Sequence, residues 1–77
     1  MPPPEICYLC QTSQLLPGEQ WHNDHVVPKA KGGSDEAFNR RRCHGLCNMW
    51  KGARPLTPEM LTTIARRRRV EVFIELG

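Results

Sequence analysis

Large apolar side chains are scarce in this chain: of 77 residues, 39% are hydrophobic and 6% aromatic. No apolar run approaches the roughly twenty residues needed to cross a bilayer, so no membrane span is expected. The opening Met1-Pro2-Pro3-Pro4-Glu5 has neither a basic start nor an apolar stretch, so no signal peptide is expected either and the expected location is cytoplasmic. A chain this short has room for one core only, and burial alone leaves it little margin over conformational entropy. Domains of this size need a staple, and four cysteines supply the material for one. In a reducing compartment they favour a metal over disulfides. The net charge is a modest +3, but Arg40-Arg41-Arg42 and Arg66-Arg67-Arg68-Arg69 concentrate the positive charge. Such clustering suits a polyanionic partner.

Local patterns divide the chain into an arm at 1–5, a central unit at 6–55 and a C-terminal segment at 56–77. The prolines at 2–4 imply an extended, polyproline-like arm. Ile6 to Cys10 reads as a strand end turning into a knuckle, and Pro17-Gly18 as a turn. Gln20 to Val27 suggests a short strand that Pro28 ends. A basic loop follows, with Gly32-Gly33 free to take positive φ and Ser34 or Asp35 able to cap a helical turn through Phe38. Asn39 to Arg42 suggests a second strand, and Leu46 to Gly52 a helix that Pro55 prevents from continuing. Thr57-Pro58-Glu59 marks a second helix start, with an apolar stripe at Leu61, Ile64 and Ala65 and arginines toward its end. Val70 to Leu76 is β-rich and reads as a further strand. Tyr8, Leu9, Trp21, Phe38 and Trp50 are the expected core. The fold class is therefore α+β.

Cys7-x-x-Cys10 can offer two thiolates to one tetrahedral zinc from a tight turn. The downstream partner pair is either His44 with Cys47, which repeats the two-residue spacing, or Cys43 with Cys47; two disulfides are the metal-free alternative. The preferred set is Cys7, Cys10, His44 and Cys47, with Cys43 packed as a small apolar residue. Four protein ligands leave no open position, so this zinc would be structural. More than thirty residues separate the two pairs, and Asp24-His25 falls in the insertion.

Hydrolysis of a phosphodiester needs a base for water, a cation for the developing charge, and positive side chains to hold the polyanion. His25 suits the first role, because an unperturbed imidazole titrates near neutral pH. Asp24 offers a hard carboxylate oxygen, and Asn48 could add a carbonyl oxygen, for a magnesium- or manganese-like ion. Lys29, Lys31, Lys51 and Arg54 flank these residues and would contact phosphate.

Taken in order, Cys7-x-x-Cys10, Asp24-His25-Val26-Val27-Pro28, Gly32-Gly33-Ser34-Asp35, Asn39 and His44-x-x-Cys47-Asn48-x-x-Lys51-Gly52 resemble the HNH endonuclease family, of the small, free-standing, phage type. The resemblance spans residues 7 to 52. It implies a zinc-stabilised ββα-metal (His-Me finger) core at 6–55, with the C-terminal helix and strand packed on it. It also implies metal-dependent DNA cleavage, with His25 as general base, Asp24 and Asn48 on the divalent ion, and Asn39 orienting the base. Asn48 stands where relatives often carry a histidine. Arg40, Arg41 and Arg42 replace residues that are often apolar and would then face DNA. One site per chain implies nicking with little sequence preference, by a monomer or weak dimer, with a larger complex supplying specificity. The alternative function is a non-catalytic zinc module that grips nucleic acid or a protein; a small secreted disulfide domain is the third.

Overall fold

The computed structural model describes residues 5–77; the expected proline arm lies outside the described residues except for Glu5. The chain is α+β. It forms β1 (Trp21–His25), β2 (Arg40–His44), α1 (Gly45–Lys51) and α2 (Pro58–Leu76), with single 3-10 turns at Lys29–Lys31 and Ala37–Asn39 between the strands. No described helix is long and apolar enough to cross a membrane.

β1 and β2 pair antiparallel, with Trp21 opposite His44 and His25 opposite Arg40. Side chains alternate across a strand, so His22 and Asp24 share one face while Trp21, Asn23 and His25 share the other. β2 passes directly into α1: His44 is the last extended residue, and the Gly45 amide donates to the Gln20 carbonyl at 3.0 Å. Seven residues are too few for a helix to persist alone, so α1 depends on its packing. It stops at Gly52, whose φ of 62° favours glycine. Arg54 closes this end as well, donating from Nε to the Lys51 carbonyl at 3.0 Å and from Nη2 to the Trp50 carbonyl at 2.5 Å.

α2 begins where the sequence implies. The Thr57 hydroxyl accepts from the Met60 amide at 3.1 Å and Pro58 takes the first helical position. The helix then continues to Leu76, so the strand expected at Val70 to Leu76 is instead its last two turns. Nothing between Arg69 and Val70 breaks the helix. Extending an existing helix is easy, and β-branched residues disfavour it only slightly.

The core is small and rich in sulfur. Cys7, Leu9, Cys10, Cys43, Cys47 and Ile64 are buried, with Tyr8, Trp21, Trp50, Leu56, Met60, Leu61 and Ala65 packed around them. Trp50 is half-buried beneath the Arg67 guanidinium, which lies 4.5 Å from the ring centre. Phe38, expected inside, is 73% exposed, because Asn39 is the residue of its turn that points inward.

A buried ion pair joins the outer elements. Arg68 on α2 is 1% exposed and grips Glu19 in a fork, Nη1 to Oε2 at 2.6 Å and Nη2 to Oε1 at 2.5 Å. The same carboxylate accepts from the amides of Leu16 and Leu46, and Arg68 also donates to the Gln14 carbonyl at 2.7 Å. Burial works against the Glu19 charge, but the Arg68 and backbone hydrogen bonds outweigh it and hold the carboxyl at about 2. One guanidinium thus ties the 12–20 loop, the start of α1 and the middle of α2 together.

Candidate metal centre and reactive pocket

The first knuckle is a tight turn in which the Gln11 amide donates to the Cys7 carbonyl at 2.8 Å. Gln11 itself takes a positive φ of 63° to let the chain leave. The second knuckle is the β2–α1 junction, where His44 precedes the helix and Cys47 lies in its first turn. One ligand atom from each of Cys7, Cys10, His44 and Cys47 lies within 4.8 Å of all the others, and all four residues are buried. A tetrahedron with zinc–sulfur bonds of 2.3 Å has edges of about 3.8 Å, so the cluster has the right size. His44 Nδ1 is 3.3 Å from Cys10 Sγ and 3.8 Å from Cys47 Sγ. Its ring stacks on Trp21 with centroids 4.7 Å apart, which fixes the imidazole plane.

The donor chemistry fits a divalent ion. Among bare thiols the negative charge cannot be shared evenly. Hydrogen bonds from Cys10 and Cys47 pull Cys7 far below its ordinary value, while hydrogen bonds to Cys10 and Cys7, together with burial, push Cys47 far above it. A dication removes that conflict by letting the thiols ionise together. Cys43 stays outside the four-ligand cluster. Burial first, then the charges of Asp24 and Cys7, push its thiol up to about 12, which suits a small neutral core residue.

The loop between the strands is held by Asn39. Its amide donates to the Val27 carbonyl at 3.1 Å and the Ser34 carbonyl at 2.7 Å, and its Oδ1 accepts from the Val27 amide at 2.9 Å. Gly33 is required here, because a Cβ would lie 1.8 Å from the Val27 carbonyl oxygen. Together these fold Asp35 back onto β1, where its Oδ1 meets His25 Nε2 at 2.8 Å and its Oδ2 meets Lys29 Nζ at 2.9 Å. The Lys29 hydrogen bond, then that of His25, hold the Asp35 carboxyl below its usual range.

His25 and Asp24 line a pocket of about 290 Å³ with Pro28, Lys29, Lys51, Gly52 and Ala53. Asp24 Oδ2 accepts from the Tyr8 hydroxyl and lies 3.2 Å from Lys51 Nζ. Burial first, and then Asp24, push the Tyr8 phenol well above its ordinary value, so it remains a donor. Lys51 is fully buried and its ammonium also donates to the His25 carbonyl at 3.2 Å. It is therefore not the solvent-facing phosphate contact that its position in the sequence suggests. Arg54 binds helix-end carbonyls, as described above, while keeping an exposed side chain. Asn48, one turn before Lys51, turns its Nδ2 to His22 Nδ1 at 3.4 Å. Lys29, Lys31, Arg40, Arg41 and Arg42 remain exposed, with Arg40 opposite His25 and Arg41 opposite Asp24 across the strands.

Three contributors escape a reading of the sequence: Tyr8 and Lys51 on Asp24, and Asp35 on His25. The only signal for Lys51 is helical spacing, four residues after the buried Cys47. No protein-family model, curated protein or solved structure matches the chain.

Proposed function

We propose that the chain is a metal-dependent HNH-type endonuclease that hydrolyses DNA phosphodiester bonds, its β1–β2–α1 unit serving as a ββα-metal core framed by a structural zinc. The observation that carries this reading is that His25 and Asp24, neighbours at the end of β1, line one pocket, with Asp35 bound to the His25 Nε2. With Nε2 held, Nδ1 is the nitrogen available to take a proton from water, and Asp35 orients the ring and favours the imidazolium that forms. Asn39 holds the loop that brings Asp35 into place. Asp24 would supply a carboxylate oxygen and Asn48, which lies outside the lining of that pocket, an amide oxygen, a hard donor set suited to magnesium or manganese. When bound, such an ion would supply Lewis-acid stabilisation of charge on the phosphate and leaving oxygen. Lys29, Lys31 and Arg40 to Arg42 would hold the backbone of the polyanion, which gives affinity without base readout. Single-strand nicking follows from a single site, and low specificity from contacts confined to the backbone.

A non-catalytic zinc module that grips nucleic acid is the second reading. It is favoured by the Tyr8 and Lys51 contacts, which satisfy Asp24 without any substrate. Relaxation of supercoiled plasmid in magnesium or manganese separates the two. The nuclease reading expects nicked circles from the wild type and loss of turnover in Asp24→Ala and Asn48→Ala, with DNA binding retained. Tight binding without turnover under either ion would establish the second reading instead.

A further inference from the structure

Asp24 is unusual among the groups at the pocket because a buried cation already sits on it. Lys51 Nζ lies 3.2 Å from Oδ2, with the Lys51 side chain 1% and the Asp24 side chain 13% exposed. The Tyr8 hydroxyl donates to the same oxygen. Both contacts converge on Oδ2, and no described residue hydrogen-bonds Oδ1. Tyr8 belongs to the first knuckle, between Cys7 and Cys10, and its amide is fixed by the Arg42 carbonyl at 3.0 Å. Lys51 belongs to α1, where its ammonium also holds the His25 carbonyl. The carboxylate is thus locked from two elements, and both elements carry zinc-ligand residues.

We propose that Tyr8 and Lys51 are positioning residues that restrict Asp24 to one oxygen for a divalent cation, and that the Lys51 charge sets how weakly that cation is held. This rests on the reading of Asp24 as a cation ligand. Like charges a few ångströms apart in a poorly solvated site repel strongly, so an ion on Oδ1 binds against the ammonium on Oδ2. Tyr8, being neutral, acts by occupying a lone pair instead. A weak, monodentate site lets the ion arrive with substrate phosphate supplying further oxygen ligands.

The test is manganese binding to the zinc-loaded protein, read from the paramagnetic resonance signal of free Mn²⁺ without any DNA. Lys51→Met should bind Mn²⁺ tighter than wild type by on the order of tenfold or more. Tyr8→Phe, which keeps the ring in the core, should tighten binding by a smaller factor at unchanged zinc content. Asp24→Asn should abolish the effect of Lys51→Met when the two are combined. Unchanged or weaker binding in a folded Lys51→Met protein overturns the proposal. If that variant does not fold, unchanged binding in Tyr8→Phe overturns it. No Mn²⁺ binding in any variant also overturns it. The readout is independent of cleavage, so tighter binding in an inactive protein would retain this inference while removing the nuclease reading.

Discussion

Replacing Arg68 with methionine removes the guanidinium that links three parts of the fold and keeps a side chain of similar length. The pair is almost wholly sequestered, with side chains 1% and 4% exposed, so the remaining Glu19 carboxylate cannot be rehydrated without opening the structure. Breaking one side of such a pair costs roughly 3–5 kcal/mol, most of it from the uncompensated charge. For a domain of this size each kcal/mol lowers Tm by at least about 4 °C, so a fall of at least ~12 °C is expected in thermal melts of the zinc-loaded protein. The sign of the pH dependence separates this cause from lost packing. In the wild type the Glu19 carboxyl is depressed from 4.5 to about 2, so its contribution is present above 4.5 and lost as pH falls toward 2. In Arg68→Met the burial remains without its counter-charge, so the folded carboxyl rises above its unfolded value and destabilises until it is protonated. The deficit of the variant should therefore narrow as pH falls from 7 toward 5, and Glu19→Gln in the same chain should recover part of it. A loss below about 1 kcal/mol, or a deficit independent of pH, would refute a charge-based role for this pair.

Elemental analysis should find about one zinc per chain in wild type and in Cys43→Ser, and a clear loss in His44→Ala, with chelation unfolding the wild type. Equal zinc in both variants would remove His44 from the ligand set. Asn39→Ala deletes three hydrogen bonds around a residue only 5% exposed, and should destabilise by about 2–4 kcal/mol, read from urea unfolding. It should also slow plasmid nicking, because the loop carrying Asp35 is no longer held against β1.

Much of the framework is legible from local chemistry. Thr57-Pro58 fixes the start of α2 and the repeated two-residue spacing picks His44 over Cys43, while β1 stops at His25, two residues before the end that Pro28 implies. The errors arise where several forces compete at one residue. Val70 to Leu76 looks like a strand by side-chain preference, yet it follows an unbroken helix and adopts the structure already under way. The arginine run at 66–69 reads as clustered charge for a polyanion, but Arg68 lies four residues after Ile64 and seven after Leu61, on the inward stripe. That periodicity singles it out, while its partner Glu19, 49 residues away, leaves no local trace. Lys51 likewise faces inward from α1, and its need for Asp24 emerges only once β1 is packed beside it.

Whether His25 activates water is decided by one measurement: the rate at which zinc-loaded protein converts supercoiled plasmid to open circles in manganese, for wild type and His25→Ala. Loss of a general base should lower this rate by about 10²–10⁴-fold while zinc content and DNA binding are unchanged. Equal rates in the two proteins, or no nicking by the wild type, would contradict the assignment of His25 as the base.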